Sequence, residues 1–517
     1  MTETPASPVP ARLLRNVSSN YAAQFVALAT LFLLTPFVLG HLGAAGYGLW
    51  ALTLAIVGYS VLLDLGLTGA AVKYTAELQA RGEHEEANRV LATILSLYTG
   101  LGLAFAVIAG VLALVVPRII EIPAEFSAEA PWLILIAGIG AGAALPCATA
   151  LSVLRGLQRF DVAAAIAIVA TLLGALATVV VLELGGGILA LAIVNAATTP
   201  IMQIPVLLAL RRIEPRLRLG WRGASRREAR RVFSFSSYVA VIQFSGLLTA
   251  RTDPIVIGVA LRVATITPYA LAQRLAQVVT LLTSQLVRVT FPFASERAAV
   301  GDERALRAVF VGGTRVTLAV ALPLTLALAV AGGDVLALWV GEEYREYAYL
   351  VTILAVNGLL DVATYPGTNV LMAIERHRWI AWSALADGLL NLALSIALVL
   401  AFGLAGVAAA TVISTVVVLS LAVVPYTTRT LGVSVLELAR AAVVPLVLPA
   451  AVFVSVLVGA RELVSGATLP GLLAGLAVAG LAYAVVYATV GAPRGEREHD
   501  RSYAVALRAR IPGRRAG

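Results

Sequence analysis

Two charged side chains lie close together inside an apolar stretch of this sequence. The segment GLLTARTDPIVIG, residues 246–258, holds Arg251 and Asp253 within a run long enough to cross a bilayer. A charge at the centre of a membrane costs roughly 2.5 to 3.5 kcal/mol on insertion scales, so such residues face protein or water. A guanidinium in a wet cavity suits phosphate, because its planar fork pairs with two oxygens at once. The alternative is a structural ion-pair network that fixes helix register.

The next apolar run carries a polar stripe. Its polar residues recur every three or four positions: Tyr269, Gln273, Gln277, Thr280, Ser284 and Arg288, with Arg274 beside them. This spacing places them on one face of a helix. Because Arg251 and Asp253 point to different sides of their helix, we expect Asp253 to pair with Arg274, which leaves Arg251 for a ligand. The predicted substrate-binding residues are Arg251, Arg274, Gln273, Gln277, Asp253 and Asn357.

Acidic and amide side chains follow the same spacing in two later apolar runs. One run holds Asn357, Asp361, Thr364 and Thr368, and the next holds Ser383, Asp387, Asn391 and Ser395. A pair of carboxylates in a membrane cavity can take up a proton or a sodium ion. Asp361, Asp387 and Asn391 are therefore predicted to couple transport to an ion gradient. A purely structural role for the two aspartates is the alternative.

Composition places these residues in a membrane protein. The chain has 517 residues, of which 60% are hydrophobic and 13% charged, and its mean hydropathy is +0.92. A soluble globular domain does not reach such values. The single cysteine, Cys147, forms no intramolecular disulfide, and no metal-ligand spacing, nucleotide cradle or nucleophile elbow is found. We therefore expect no cofactor, no metal site and no enzymatic activity.

Apolar stretches of about 20 residues or more number about fourteen. With the N-terminus inside, most of the 38 basic residues fall on the cytoplasmic side, so both termini are predicted to be cytoplasmic. The net charge of +9 comes mainly from residues 211–231 and from the tail after Gly491. Topology and anionic lipid headgroups account for this charge, and no nucleic-acid partner is expected.

The two halves of the chain repeat each other. The matching pairs differ by 219 in number: Gln24 and Gln243, Phe25 and Phe244, Glu77 and Glu296, Arg159 and Arg378, Gly187 and Gly406. Six spans per copy make the repeats parallel, with a cleft between two lobes. The predicted organisation is an N-terminal lobe (1–210), a basic linker (211–232), a C-terminal lobe (233–426), two further spans (427–490) and a basic tail (491–517). The counterparts of the five membrane charges are apolar, so recognition is assigned to the second lobe.

Four segments resemble a known family. LGAAGYGLWALTLAIVGYSVLLDLGLTGAAVKYTAE (42–77), DPIVIG (253–258), PYALAQRL (268–275) and DVLALWVGEEY (334–344) are similar to the polysaccharide-biosynthesis flippases of the multidrug/oligosaccharidyl-lipid/polysaccharide (MOP) exporter superfamily. The resemblance covers nearly the whole chain. It implies an all-α polytopic fold of about fourteen helices, in which two six-helix repeats surround a central cavity. It also implies movement of a lipid-linked oligosaccharide on a polyprenyl pyrophosphate, with Arg251 and Arg274 as the matching cationic residues.

Three functions stay open on this basis. A flippase for a lipid-linked polysaccharide precursor, working by alternating access, is the preferred interpretation. A multidrug or cation exporter of the same superfamily would use acidic sites, which Asp361 and Asp387 supply. A non-transporting scaffold would dock polysaccharide synthesis proteins through the basic linker and tail. An enzyme acting on lipid-linked sugars is disfavoured, because the longest external loops have only about fifteen residues each on the predicted span limits.

Overall fold

The structure is a computed structural model that describes residues 11–233, 237–287, 290–463 and 468–491. Within these ranges the chain forms α-helices joined by short turns, and no strand occurs there. The helices are α1 (Ala11–Gly58), α2 (Leu67–Arg81), α3 (His84–Ile119), α4 (Ala130–Gly156), α5 (Phe160–Glu183), α6 (Gly187–Ile213), α7 (Arg226–Phe233), α8 (Ser237–Ala260), α9 (Ile266–Val287), α10 (Thr290–Ala299), α11 (Glu303–Val340), α12 (Ala348–Ala373), α13 (His377–Val418), α14 (Val424–Leu431), α15 (Val435–Leu438), α16 (Val444–Leu463) and α17 (Leu469–Val486). Arg288 of the predicted stripe and the predicted basic tail lie outside the described residues.

Ten helical stretches of the described chain are long and apolar enough to cross a membrane. Two of them, Ser18–Asp64 with 47 residues and His377–Leu431 with 55, are long enough for two crossings each. Each is interrupted by a glycine with a positive φ, 67° at Gly43 and 56° at Gly403, which glycine adopts without steric cost. The predicted all-α polytopic class is confirmed. The count of fourteen spans stays a prediction, because α8 and α9, which carry the polar stripe and charges, are not among the ten.

By its internal contacts the chain divides into two compact units. The first ends at Ala270 and also includes Val399–Gly403, and the second begins at Leu271. Helices α1 to α8 therefore belong to the first unit, whereas α10, α11, α12 and α14 to α17 belong to the second. Helix α9 crosses the division, so that Tyr269 lies in the first unit and Arg274 in the second. The division groups α8, which carries Arg251 and Asp253, with the N-terminal helices.

In the first unit, α3 and α4 approach each other at two glycines. A Cβ atom added to Gly142 would lie 2.5 Å from the carbonyl oxygen of Gly102, and a Cβ on Gly102 would overlap the Gly142 carbonyl. Small residues permit such close backbone contact between membrane helices. In the 219-residue register, Gly142 is the counterpart of Asp361. At this position the first unit therefore has tight glycine packing instead of an acidic side chain.

The sequence predicts the second span over residues 47–72, and the structure breaks this stretch in its middle. A 3₁₀ turn at Tyr59–Asp64 follows α1, and Leu65 and Gly66 then adopt left-handed conformations with φ of 46° and 76°. The Asp64 carboxylate accepts hydrogen bonds from the backbone N–H of Thr68 at 3.2 Å and from its hydroxyl at 2.6 Å, and the Tyr98 hydroxyl also donates to it. Asp64 thus supplies hydrogen-bond acceptors to the first turn of α2.

The last two long helices pack against α11 in the second unit. Phe453 and Leu457 of α16 and Tyr483 of α17 form a buried apolar cluster, and the Tyr483 hydroxyl donates to the carbonyl oxygen of Ala319 at 2.9 Å. Nearer the end of α11, Asp334 is paired with Arg461 at 2.6 Å and with Arg345. These contacts fix the C-terminal helices to α11.

Candidate functional site

An acidic cavity lies between α12 and α13 in the second unit. It has a volume of about 230 Å³. Its polar and aromatic lining consists of Asp361, Thr364, Tyr365, Thr368, Trp379, Ser383, Asp387 and Thr415. Asp361 and Asp387, which the sequence assigns to ion coupling, therefore line one cavity. Trp379 stacks on Tyr426 at 4.4 Å between ring centroids, which places a rigid aromatic pair at this site.

Helix geometry explains how this cavity forms. The polar residues of α12 are four, three and four positions apart, and those of α13 recur every fourth position, so each helix presents one polar face. A polar face cannot be left to lipid, so the two faces lie in protein. Local sequence thus determines which side of each helix lines the cavity.

Hydrogen bonds hold the amides beside the carboxylates. The Asn357 side chain is 8% exposed, and its Nδ2 lies 3.5 Å from the Asp361 Oδ2. Asn391 is 0% exposed and its Nδ2 donates to the Thr411 hydroxyl at 3.0 Å. The Asp387 carboxylate accepts a hydrogen bond from the Ser414 side chain. Both amides therefore use their N–H groups within the protein.

Several oxygens in or near this site lack a donor. Asp387 Oδ1 and Thr415 Oγ1 of the cavity lining, and Asn357 Oδ1 and Asn391 Oδ1 outside that lining, are buried and have no hydrogen-bond partner within the described part of the chain. An unsatisfied buried acceptor costs about 1 to 3 kcal/mol. A proton on a carboxylate, or a hard cation that takes oxygen ligands, would satisfy such a set. These acceptor oxygens therefore fit the uptake of a proton or a small cation.

Arg251 of α8 lies against the broken part of the predicted second span. Its side chain is exposed, and a Cβ atom added to Gly58 would lie 3.1 Å from the Arg251 Nε. The next residue, Thr252, shares a hydrogen bond of 2.7 Å with the hydroxyl of Tyr59. The absence of a side chain at Gly58 therefore gives the guanidinium its room, while the bond between Tyr59 and Thr252 fixes the two segments to each other.

Asp253 has a different environment from Arg251. It is 1% exposed, and its Oδ2 accepts a hydrogen bond of 2.5 Å from the hydroxyl of Tyr269, which is 0% exposed. The two charges of α8 therefore lie on different sides of the helix, in keeping with their spacing of two residues. The expected pairing of Asp253 with Arg274 stays a prediction.

The remaining predicted residues lie on α9. Gln273 and Arg274 are half-buried and Gln277 is exposed. These three residues belong to the second unit, whereas Arg251 and Asp253 belong to the first. A shared binding site of Arg251 and Arg274 therefore stays a proposal.

Sequence reasoning missed the residues that other helices bring to these places. Gly58 and Tyr59 contact the charged part of α8, and Ser414 and Thr415 of α13 contribute hydroxyls to the acidic cavity. The serine–threonine pair is a polar interruption of an apolar run, and that signal is visible in the sequence. Gly58 carries no comparable signal, because a glycine in a membrane helix has many uses.

Comparison with protein families identifies the chain. A family model described as "Polysaccharide biosynthesis protein" matches residues 41–349, which is more than half of the sequence. The chain belongs to this family. The matched region of this polysaccharide biosynthesis protein includes the whole of α8 and α9, and therefore Arg251, Asp253 and Arg274. The acidic cavity is built from residues beyond it.

Curated relatives of this polysaccharide biosynthesis protein include membrane proteins of other organisms. It is 23% identical over 188 residues to the probable low-salt glycan biosynthesis flippase Agl15 of Haloferax volcanii, and the match covers 36% of this chain and 40% of that one. It is 22% identical over 397 residues to the uncharacterized membrane protein EpsK of Bacillus subtilis, covering 74% and 76% of the two chains. The match to Agl15 thus spans less than half of that protein's length.

Solved structures show the fold. The lipid II flippase MurJ in an inward closed conformation superposes with a TM-score of 0.71 at 13% identity, covering 92% of this chain and 98% of that one. An inward-facing MATE family multidrug transporter of the MOP superfamily gives a TM-score of 0.65 at 14% identity, covering 79% and 94%. The predicted MOP-type architecture is confirmed.

Proposed function

We propose that this protein flips a lipid-linked oligosaccharide or polysaccharide precursor across the membrane. The observation that supports this most directly is the exposed guanidinium of Arg251, placed over Gly58 in a helix of a MOP-type fold. A charged side chain is unfavourable against hydrocarbon, so an exposed guanidinium on a helix of a membrane fold suggests a ligand or water beside it. Membership of the polysaccharide biosynthesis family indicates the class of ligand.

The chemistry of the proposed substrate fits an arginine. A polyprenyl pyrophosphate carries its negative charge on two phosphates next to the sugar, and a guanidinium forms paired hydrogen bonds to phosphate oxygens. Gln273, Gln277 and Asn357 offer amides, which can donate to and accept from sugar hydroxyls. In this proposal Arg251 and Arg274 bind the pyrophosphate, and the amides contact the glycan while the lipid tail stays in the bilayer.

The acidic cavity supplies the driving force in this proposal. Asp361 and Asp387 take up a proton or a sodium ion, and Asn391 contributes its unpaired oxygen. Binding of the ion to one conformation of the second unit shifts the equilibrium between inward and outward states, as any ligand with differential affinity does. The orientation proposed with it has both termini in the cytoplasm of a bacterial cell and the protein in the inner membrane, on the charge bias of its loops.

A multidrug or cation exporter is the second candidate function. The acidic cavity favours it, because two carboxylates beside the stacked pair of Trp379 and Tyr426 suit an organic cation. In that case Asp361 or Asp387 binds the transported cation, and Arg251 has a structural role. The two functions therefore make opposite predictions for the same residues.

Reconstituted vesicles distinguish the two functions. The probes are a fluorescent polyprenyl-pyrophosphoryl disaccharide, whose flipping is followed by its loss of access to an impermeant quencher, and the cation ethidium. Arg251→Gln should abolish flipping of the first probe, whereas Arg118→Gln, at another exposed arginine, should leave it unchanged. Flipping at the wild-type rate in Arg251→Gln, or ethidium transport that requires Asp387 but not Arg251, would contradict the flippase proposal.

A further inference from the structure

The basic segment between the predicted repeats is folded onto the first unit at both of its ends. Leu217 and Val232 are 4% and 0% exposed and belong to the hydrophobic core of that unit. The Arg231 guanidinium donates to Glu86 at 2.7 Å and lies 4.7 Å from the ring centroid of Tyr74. The hydrogen bond to Glu86 raises the pKa of Arg231 above its usual range. The segment is therefore an ordered part of the unit.

Between these two ends the chain runs along α3. The Asn88 side chain accepts from the backbone N–H of Arg218 at 2.7 Å, and the indole N–H of Trp221 donates to the Thr99 hydroxyl at 3.0 Å. Asn88 and Thr99 are about 16 Å apart along the helix axis, at a rise of 1.5 Å per residue. Residues 216–230, here called the interfacial loop, thus reach well along a helix that is apolar enough to span the membrane.

The interfacial loop covers polar residues of α3. Arg89, Thr93, Ser96 and Thr99 recur at intervals of three and four positions and so form a stripe on one face. The Thr93 hydroxyl accepts from the backbone N–H of Ser225 at 3.1 Å. A stripe of this kind is unfavourable against hydrocarbon, and the loop supplies hydrogen-bond partners to it.

Trp221 lies at the depth of the membrane interface. A hydrocarbon core of about 30 Å takes about 20 residues of helix. Counted back from Val116, just before Pro117 and Arg118, this core begins near Leu97, so Thr99 lies only about 3 Å inside its edge. The headgroup layers add about 5 to 8 Å on each side of a hydrocarbon core of about 30 Å. Trp221 is 64% exposed although its indole N–H is bonded to Thr99. An indole that is bonded on one edge and open on its faces is typical of the boundary between headgroups and hydrocarbon.

The exposed charge around Trp221 is positive. Residues 211–231 contain nine arginines and two glutamates. Both glutamates are engaged, since Glu214 accepts from Gln79 at 2.6 Å and Glu228 is 9% exposed beside Arg231. The exposed arginines of the interfacial loop are Arg216, Arg218, Arg222, Arg226, Arg227 and Arg230.

We propose that the interfacial loop is a binding site for acidic phospholipids. Trp221 sits among the headgroups, and Arg222, Arg226 and Arg227 pair with the phosphates of anionic lipids in the same leaflet. The positive charge identifies acidic phospholipids as the occupant, because Arg222, Arg226 and Arg227 lie beside α3 in the part of the chain that reaches headgroup depth. Each arginine near an anionic membrane surface contributes about fivefold to association, from about 1 kcal/mol per basic residue. This site does not depend on which substrate is transported.

Brominated lipids test the site directly, because bromine quenches tryptophan only at close range. The full-length protein and its Trp221→Phe variant are reconstituted in vesicles of brominated phosphatidylglycerol or brominated phosphatidylcholine, and the difference between the two proteins isolates the emission of Trp221. We expect Trp221 to be quenched by both lipids, and about fivefold stronger association with phosphatidylglycerol in mixed vesicles. The preference should weaken as salt is raised, because exposed charges are screened.

Two charge variants show whether the loop itself selects the lipid. Arg222→Gln with Arg226→Gln and Arg227→Gln should abolish the preference for phosphatidylglycerol, while Trp221 stays quenched. A matched triple, Arg304→Gln with Arg376→Gln and Arg440→Gln, removes three exposed arginines of the second unit and should retain the preference. An unquenched Trp221, equal quenching by the two brominated lipids in mixed vesicles, or a preference that survives the loop variant would each overturn the proposal.

Discussion

Replacing Gly58 should impair transport through its effect on Arg251. A Cβ at this position lies 3.1 Å from the Arg251 Nε and 3.3 Å from both Cδ and Cζ. Gly58→Ala therefore requires the flexible end of the Arg251 side chain to move by a few tenths of an ångström. Gly58→Leu adds three more carbons in the same direction and displaces the guanidinium. The first change should alter transport only slightly, and the second should remove the contact between Arg251 and the substrate phosphate.

The size of the second effect follows from the interaction that is lost. A hydrogen bond to a charged group contributes about 1.5 to 3 kcal/mol, which is about 10-fold to 150-fold in affinity. We expect the KM for the fluorescent polyprenyl-pyrophosphoryl disaccharide to rise by that factor in Gly58→Leu vesicles. Gly69→Leu is the matched control, because a side chain at Gly69 meets open space.

A double-mutant cycle separates this cause from general damage to the helix. If Gly58→Leu acts by displacing the guanidinium, it should not lower the equilibrium binding affinity for the disaccharide any further in a protein that already has Arg251→Gln. Equal losses from Gly58→Leu with and without Arg251, or wild-type KM in Gly58→Leu, would refute the reasoning.

Other predictions concern the packing and charges of the helices. Gly142→Ala should lower the thermal stability of the purified protein by about 1 to 3 kcal/mol, because its Cβ meets the Gly102 backbone. Gly100→Ala is the control and should not lower it. An unchanged melting temperature for Gly142→Ala would contradict the close approach of the two helices. Tyr269→Phe should destabilise by about 1 to 3 kcal/mol by removing a donor from buried Asp253, and a neutral result in thermal unfolding would count against that bond. Asp387→Asn should make flipping indifferent to imposed pH and sodium gradients while Glu296→Gln, at an exposed glutamate, keeps the response; gradient-driven flipping in Asp387→Asn would exclude coupling at this residue.

The acidic cavity shows what periodicity can predict. Regular spacing placed Asp361 on one face of its helix and Asp387 and Asn391 on one face of the next. Spacing within a run determines such faces whatever the neighbouring helix contains. Spacing within one run cannot show which more distant residues of α13 also line the cavity, because that depends on contacts distant in sequence. For this reason Ser414 and Thr415 came only from the structure.

Neither the break in the second span nor the packing of the basic linker against α3 could be predicted from the sequence, for a related reason. The segment around Leu65 is mostly apolar, and the left-handed conformation of a leucine cannot be predicted from composition. The arginines of residues 211–231 predicted a cytoplasmic segment, but its order depends on two small anchors, Leu217 and Val232, and on hydroxyls of α3. Local sequence patterns identify a basic segment but do not predict which residues it packs against.

If the positive charge at position 251 binds the transported substrate, chemical restoration of that charge tests the binding most directly. Arg251→Cys, made in a protein with Cys147→Ser so that one thiol remains, is reconstituted and treated with a methanethiosulfonate that attaches an ethylammonium group. We predict that flipping of the polyprenyl-pyrophosphoryl disaccharide is lost in Arg251→Cys, returns with the ammonium reagent and does not return with the sulfonate analogue. Full flipping in untreated Arg251→Cys, or equal recovery with both reagents, would contradict the account.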